Sequence, residues 1–229
     1  MLHILLFGAS GRTGELFVEE ALKRGHRITA LVRKPESMKA RPNLTLVKGT
    51  PCEEAEVRAA FASAPAESPI TAVASALGNN LSSDSLLAKV VNPPDIMENS
   101  MRNIISAMAA QSPPVRKIVF LSSFAVGNAR PHASIFVRQI IKWTNLGVSF
   151  ADHDKVDEML KTGLGKDLDW TLVRAASLND KPAGPIKEMG ELPKGVGLKQ
   201  ISRASTAVFM VDAIEKNDWV RKTPVIINA

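Results

Sequence analysis

Short, continuously apolar runs alternate along this chain with longer segments whose apolar residues recur every three or four positions. The first run, "HILLF" at 3–7, reads as a buried strand. Residues 12–24 follow, where Leu16, Phe17, Ala21 and Leu22 recur at helical spacing and Gly25 supplies a natural stop. Further strands are predicted at "RITALVR" (27–33) and "LTLVKG" (44–49), within "PITAVASALG" (69–78), and at "RKIVFLSS" (116–123), "DWTLVR" (169–174) and "PVIIN" (224–228). Residues 53–63 and 95–111 have the helical period. In the second, Met97, Met101, Ile104, Ile105 and Met108 form one stripe, which reads as core rather than as a cofactor contact. Uninterrupted apolar strands separated by helices predict a parallel sheet covered on both faces, a doubly wound α/β fold of Rossmann type occupying 1–229 as one domain. Residues 179–200 hold much Pro and Gly and no period. They are expected to form a mobile, irregular segment on the substrate side of the late strands, part of a small C-terminal substrate-binding region.

Composition narrows the setting. Of 229 residues, 45% are hydrophobic and 23% charged, as in soluble globular proteins. No run reaches the ~18 apolar residues of a membrane span. The opening "MLHILLFG" reads as a first strand rather than a signal peptide. A single cysteine, Cys52, excludes internal disulfides and a multi-cysteine metal cluster, and the four histidines have no ligand spacing, so no metal is expected. The expected location is the cytoplasm. The net charge of +6 raises the question of nucleic acid, but no long Lys/Arg block exists and only 5% of residues are aromatic, so a nucleic-acid partner is not expected. A basic balance also suits a phosphorylated small molecule, or no more than a solvated surface.

Candidate chemistry begins at "GASGRTG", residues 8–14. In such a sheet the first strand-to-helix turn faces the crevice where dinucleotides bind. There Gly8 permits a tight exit from the strand, Gly11 lets the backbone approach a diphosphate, and Gly14 lets the helix pack closely. Ser10, Arg12 and Thr13 complete the turn, and the positive end of the helix attracts phosphate. A strand before the glycines, an amphipathic helix after them and a second strand ending near 32 supply the context a glycine triplet needs. An acidic residue at the end of that second strand would select NAD; this chain has Arg33 and Lys34. Arg33 and Arg12 flanking one spot favour a 2′-phosphate, hence NADP(H), against the plainer reading of Arg33 as a solvated strand end.

These stretches resemble the atypical short-chain dehydrogenase/reductases of the NmrA-like and biliverdin/flavin-reductase-like group. The resemblance rests on "GASGRTG", "ALVRKP", "SALGN", "VFLSS", "ADHDKVDEMLKTGLGKDLDWTLVR" and "ISRASTAVFMVDAIE", and runs over nearly the whole chain. It implies that Ala76, Leu77 and Gly78 lie beside the ribose and diphosphate, and that Ser122, Ser123 and Ala176 border the nicotinamide. Conventional members carry a YxxxK pair. Lys155 matches the lysine and would hold the ribose, but the tyrosine position is Ala151 and the chain has no tyrosine. Ser123 and His153 are the candidate replacements: a hydroxyl donor to a developing oxyanion, and an imidazole whose ordinary pKa suits proton transfer near neutrality. In a regular helix residues 153 and 155 lie about 200° apart and cannot both face the cofactor, unless Asp152 or Asp154 is the N-cap and His153 precedes the regular turns.

Residues 124–150 read as an insertion whose apolar helical face, Ile135, Phe136, Ile140, Ile141 and Trp143, walls a flat substrate, meets a second subunit or covers the sheet. Flavins and quinones take their proton from water, so a site without tyrosine still suits them. The leading expectation is an NADP(H)-dependent reductase of a small, planar, electrophilic acceptor of flavin, quinone or carbonyl type, acting as monomer or homodimer. The rival is a non-catalytic NADP sensor of NmrA-like type; isomerisation through transient oxidation is weaker, because the acid/base group is missing.

Overall fold

A computed structural model describes residues 1–78, 91–193 and 195–229. Asn79 of the "SALGN" stretch falls outside them. The strands are β1 (His3–Phe7), β2 (Arg27–Val32), β3 (Leu44–Lys48), β4 (Ala72–Ser75), β5 (Lys117–Ser123), β6 (Asp169–Ala175), β7 (Ser177–Asn179), β8 (Ile186–Glu188), β9 (Gln200–Ser202) and β10 (Val225–Asn228). The helices are α1 (Arg12–Lys23), α2 (Glu54–Ala62), α3 (Ile96–Ala109), α4 (Ile135–Trp143), α5 (Leu146–Lys161) and α6 (Arg203–Glu215). Eight strands form one sheet in the order β3-β2-β1-β4-β5-β6-β10-β8, parallel except for β8, which runs antiparallel to β10. The fold is the predicted doubly wound α/β sheet of Rossmann type.

β1 shows why its run is apolar throughout. Ile4 and Leu6 enter a core shared with α1 and α6, whereas Leu5 and Phe7 enter a second core shared with α2, α3 and α5. A strand with a helical layer on each face has no wet side. The Met97–Met108 stripe of α3 lies in the second core, as its period predicts. α1 ends as Gly25 demands: at φ +81 its amide donates to Leu22, and the next amide, of His26, reaches back to Ala21, closing the helix in a Schellman motif.

Two expectations are corrected here. Residues 179–200 are not wholly irregular: β8 lies within them, β7 ends at their first residue and β9, which pairs with β7 in parallel, begins at their last. These strands are only three residues long, too short for an alternation to betray them. Secondly, α5 begins at Leu146 behind Asn145, so neither Asp152 nor Asp154 caps it. Both aspartates cap other segments instead. Asp152, buried, accepts from the amides of Met97 (2.9 Å) and Glu98 (3.0 Å) at the start of α3, and Asp154 accepts from the Gly127 amide at 2.7 Å. Among the described residues no helix is long and apolar enough to cross a membrane.

Candidate active site

The order of the sheet reverses between β1 and β4, and the crevice at their carboxyl ends is where doubly wound sheets take ligands. Gly8 leaves β1 at φ +79, so close to the exit of β4 that a Cβ would lie 2.7 Å from the carbonyl carbon and oxygen of Ala76. Gly14 packs α1 on the same turn; a Cβ there would be driven into the Gly8 carbonyl oxygen. Gly11 caps α1 in extended conformation and donates to Gly8 O at 3.1 Å. The glycines therefore set a backbone path that side chains would block.

Two cavities meet at this turn. The smaller, about 240 Å³, is bounded by Gly8, Ser10 and Gly11, by Arg33 at the end of β2, and by Ala76–Gly78. The larger, about 680 Å³, shares Ala76–Gly78 and adds Thr13, Ser122 and Ser123 from β5, Ala176 past β6, and His153 from α5. Most residues singled out in the sequence thus line one or other of two cavities that share the Ala76–Gly78 wall. Arg12 departs from that reading. Its guanidinium reaches Asp180 at 3.4 Å and does not border the smaller cavity, so it forms no clamp with Arg33. Position 12 is the first residue of α1, on the side that faces the segment after β7, whereas Arg33 ends β2 on the other side of the turn.

His153 packs edge-on to Phe120, centroids 6.0 Å apart, with Nδ1 3.4 Å from the Ser122 hydroxyl. Burial pushes its pKa down to about 4, below the near-neutral value expected for an imidazole proton donor. The ring is neutral at pH 7 and exchanges a proton with a partner rather than storing one. The Ser122 hydroxyl donates to Nδ1 when the hydrogen is on Nε2 and accepts from Nδ1 when it is there, so the pair can carry a proton either way.

Lys155 lies elsewhere. Its ammonium pairs with Glu98 of α3 at 2.6 Å, half-exposed, and does not line the larger cavity; the pair holds the Glu98 carboxyl below its usual range and the lysine above its own. The cause is helical geometry. Leu146, Phe150 and His153 are the α5 residues on the cavity, a stripe at four- and three-residue steps, and two residues beyond His153 the helix has turned to α3. The register implied by the resemblance, Ala151 and Lys155, belongs to the far side. Ala151 is exposed.

Gly49, Thr50 and Pro51 after β3, in the smaller cavity, carried no chemical signal, and neither did Gln200 and Arg203 in the larger. The insertion face divides: Ile140 and Ile141, with Val137, wall the larger cavity, while Ile135, Phe136 and Trp143 point to solvent.

Solved structures share this architecture. The anaerobillin reductase ChuY from Escherichia coli superposes with a TM-score of 0.76 at 19% identity, over 99% of this chain and 97% of that one. A short-chain dehydrogenase/reductase from Veillonella parvula, crystallised with NADP, gives 0.74 at 14% identity, over 99% and 94%. A Rossmann-fold NAD(P)-binding family protein from Shigella flexneri gives 0.66 at 18%, over 100% and 94%. At such identities the likeness is one of fold. No curated protein matches the sequence. The sequence pattern of the NAD(P)H-binding family does match, over residues 8–217, from the glycine turn to the end of α6, and the chain belongs to that family.

Proposed function

We propose that the protein is an NADP(H)-dependent reductase that passes hydride to a small, planar, electrophilic acceptor of flavin, quinone or carbonyl type. The observation that carries this reading is that two cavities share Ala76–Gly78 in their walls, one bordered by the glycine turn and the other by hydroxyls and an imidazole. The residues fit a dinucleotide. Gly8, Ser10 and Gly11 leave backbone exposed to a diphosphate, Thr13 and Gly14 support that turn, and Arg33 borders the cavity where a 2′-phosphate would lie. Bound across that cleft, the cofactor supplies a hydride at its nicotinamide.

The chain's own groups do the rest. Ser123, at the open end of β5, donates a hydrogen bond to the acceptor atom on which negative charge develops. His153 passes its ring proton to the reduced acceptor while a proton from solvent water reaches its other nitrogen through the Ser122 hydroxyl, so that imidazole and hydroxyl both end neutral. The apolar walls exclude water from the hydride path. Lys155 has no part in this scheme.

A second reading has its own support. The chain has no tyrosine, and Lys155 is turned to α3, so a non-catalytic NADP sensor needs no further group. The deciding experiment follows NADPH absorbance with flavin, quinone and carbonyl panels. Turnover with at least one acceptor is expected; tight NADPH binding without turnover on any panel favours the sensor. Arg33→Asp separates the cofactors: a charge-assisted contact of about 2 kcal/mol implies roughly thirtyfold weaker NADPH with little change for NADH. Equal losses remove Arg33 from 2′-phosphate recognition.

A further inference from the structure

The mouth of the larger cavity carries a charge arrangement that hydride transfer does not require. Arg203, first residue of α6, lines the cavity with its side chain only 12% exposed. Its Nη1 donates to Asp180 Oδ1 at 2.7 Å, and Arg12, first residue of α1, reaches Oδ2 of the same carboxylate at 3.4 Å. Asp180 is 64% exposed and opens a stretch, 180–185, that is exposed throughout. As a purely structural device this is poor. A cation at the first position of a helix opposes its dipole, an exposed ion pair contributes little, and withdrawing a guanidinium from water costs more than withdrawing a neutral side chain. Two guanidiniums meet on this one carboxylate. The walls behind it are apolar (Phe124, Val137, Ile140, Phe150, Leu178 and Leu198), and no carboxylate is among the described residues lining the cavity.

An apolar chamber with guanidinium donors beside it matches a ligand with a hydrophobic body and one acidic group. We propose that Arg203 and Arg12 form an anion subsite of the larger cavity that takes the carboxylate of an apolar acid, Asp180 filling the subsite until that ligand displaces it. The exchange swaps one carboxylate for another on the same donors, so the guanidinium bonds are kept and Asp180 moves into water it already touches. Net affinity comes from burying the ligand's apolar body. The inference rests on the larger cavity being the acceptor site, and it extends that reading by naming the acceptor's charge. A nucleotide phosphate is the other source of anionic oxygen near Arg12; the position of Arg203 on the larger cavity, away from the smaller, favours the acceptor.

The test uses 1-naphthoate and 1-naphthamide, alike in shape and different in charge, titrated calorimetrically into the NADPH-saturated protein. Wild type is expected to prefer the naphthoate. Arg203→Gln should weaken naphthoate at least tenfold and naphthamide by less than threefold. Asp180→Asn, an exposed change that spares the fold, should tighten naphthoate severalfold by removing the internal competitor. Equal losses for both probes in Arg203→Gln, or no tightening in Asp180→Asn, overturn the proposal. A fall in NADPH affinity with the probe ratio unchanged also overturns it, by assigning the guanidinium to nucleotide phosphate. NADPH binding by the wild type is measured first: its absence counts against the reductase, and the same titrations without nucleotide still judge the subsite.

Discussion

The two cavities that meet at Ala76–Gly78 are built of different material. The smaller is framed by a glycine turn and the ends of β1, β2, β3 and β4, with Arg33 the charged side chain on it among the described residues. The larger is side chains, contributed by β5, α4, α5, α6 and the strands after β6. Backbone fits what is constant in a ligand, since main-chain amides and close approaches hold whichever side chains surround them. Side chains fit what varies. A diphosphate and ribose suit the first cavity and an acceptor the second, and perturbing each should fail differently: the first through sterics and the second through charge and protonation.

The largest effect is expected at Gly8. Valine there needs a left-handed backbone that β-branched residues resist, and sets its Cβ against the Ala76 carbonyl. Strain and overpacking together come to about 3 kcal/mol or more, and the relief, a shift of residues 76–78, deforms both cavities at once. NADPH affinity should fall roughly a hundredfold, read by titration beside a thermal melt. A Gly8→Val protein that binds NADPH within tenfold of wild type would break the claim that backbone path defines the smaller cavity.

The larger cavity should respond to pH. His153 is neutral when folded, with a pKa near 4, and takes a proton in the unfolded chain below its ordinary 6.5. The unfolded state therefore binds more protons between these values, and stability rises with pH across that window. On acidification from pH 7 it is lost, by on the order of 3 kcal/mol when pH 4 is reached, and changes no further through this group below that. His153→Phe should flatten that part of the profile in chemical denaturation at pH 4, 5.5 and 7. An unchanged slope would mean that the imidazole is solvated when folded, which would sharpen the comparison by making the second cavity wetter than its walls suggest.

How legible this was in the sequence follows the same division. β1, β2 and β5 announced themselves because burial on both faces leaves no polar position, and the glycine turn because its steric demands fall on consecutive residues. β7, β8 and β9 did not, since three residues are too few to show a period. Asp152 and Asp154 carry a real capping signal, but its targets are the amides of Met97, Glu98 and Gly127, 27 to 55 residues away in sequence. Arg12 was visible as a cation in the turn. Its partner, Asp180, is 168 residues distant and lies in a stretch without pattern.

The smallest effect is expected at Lys155, and its smallness is what makes it informative. A lysine that held a ribose would contribute a charge-assisted bond in the cleft, so its loss would weaken NADPH by an order of magnitude or more. A lysine half-exposed on the α3 side and paired with Glu98 contributes little to stability and nothing to the cleft. Glu98 keeps a second cation, Arg102 at 3.0 Å, so removing Lys155 leaves no buried carboxylate alone. Lys155→Met should accordingly shift the melting midpoint by a few degrees at most and NADPH affinity by less than threefold. An affinity loss of tenfold or more would mean that α5 rotates on binding to bring position 155 to the cofactor. His153 would then leave the cavity, since one helix face cannot present both.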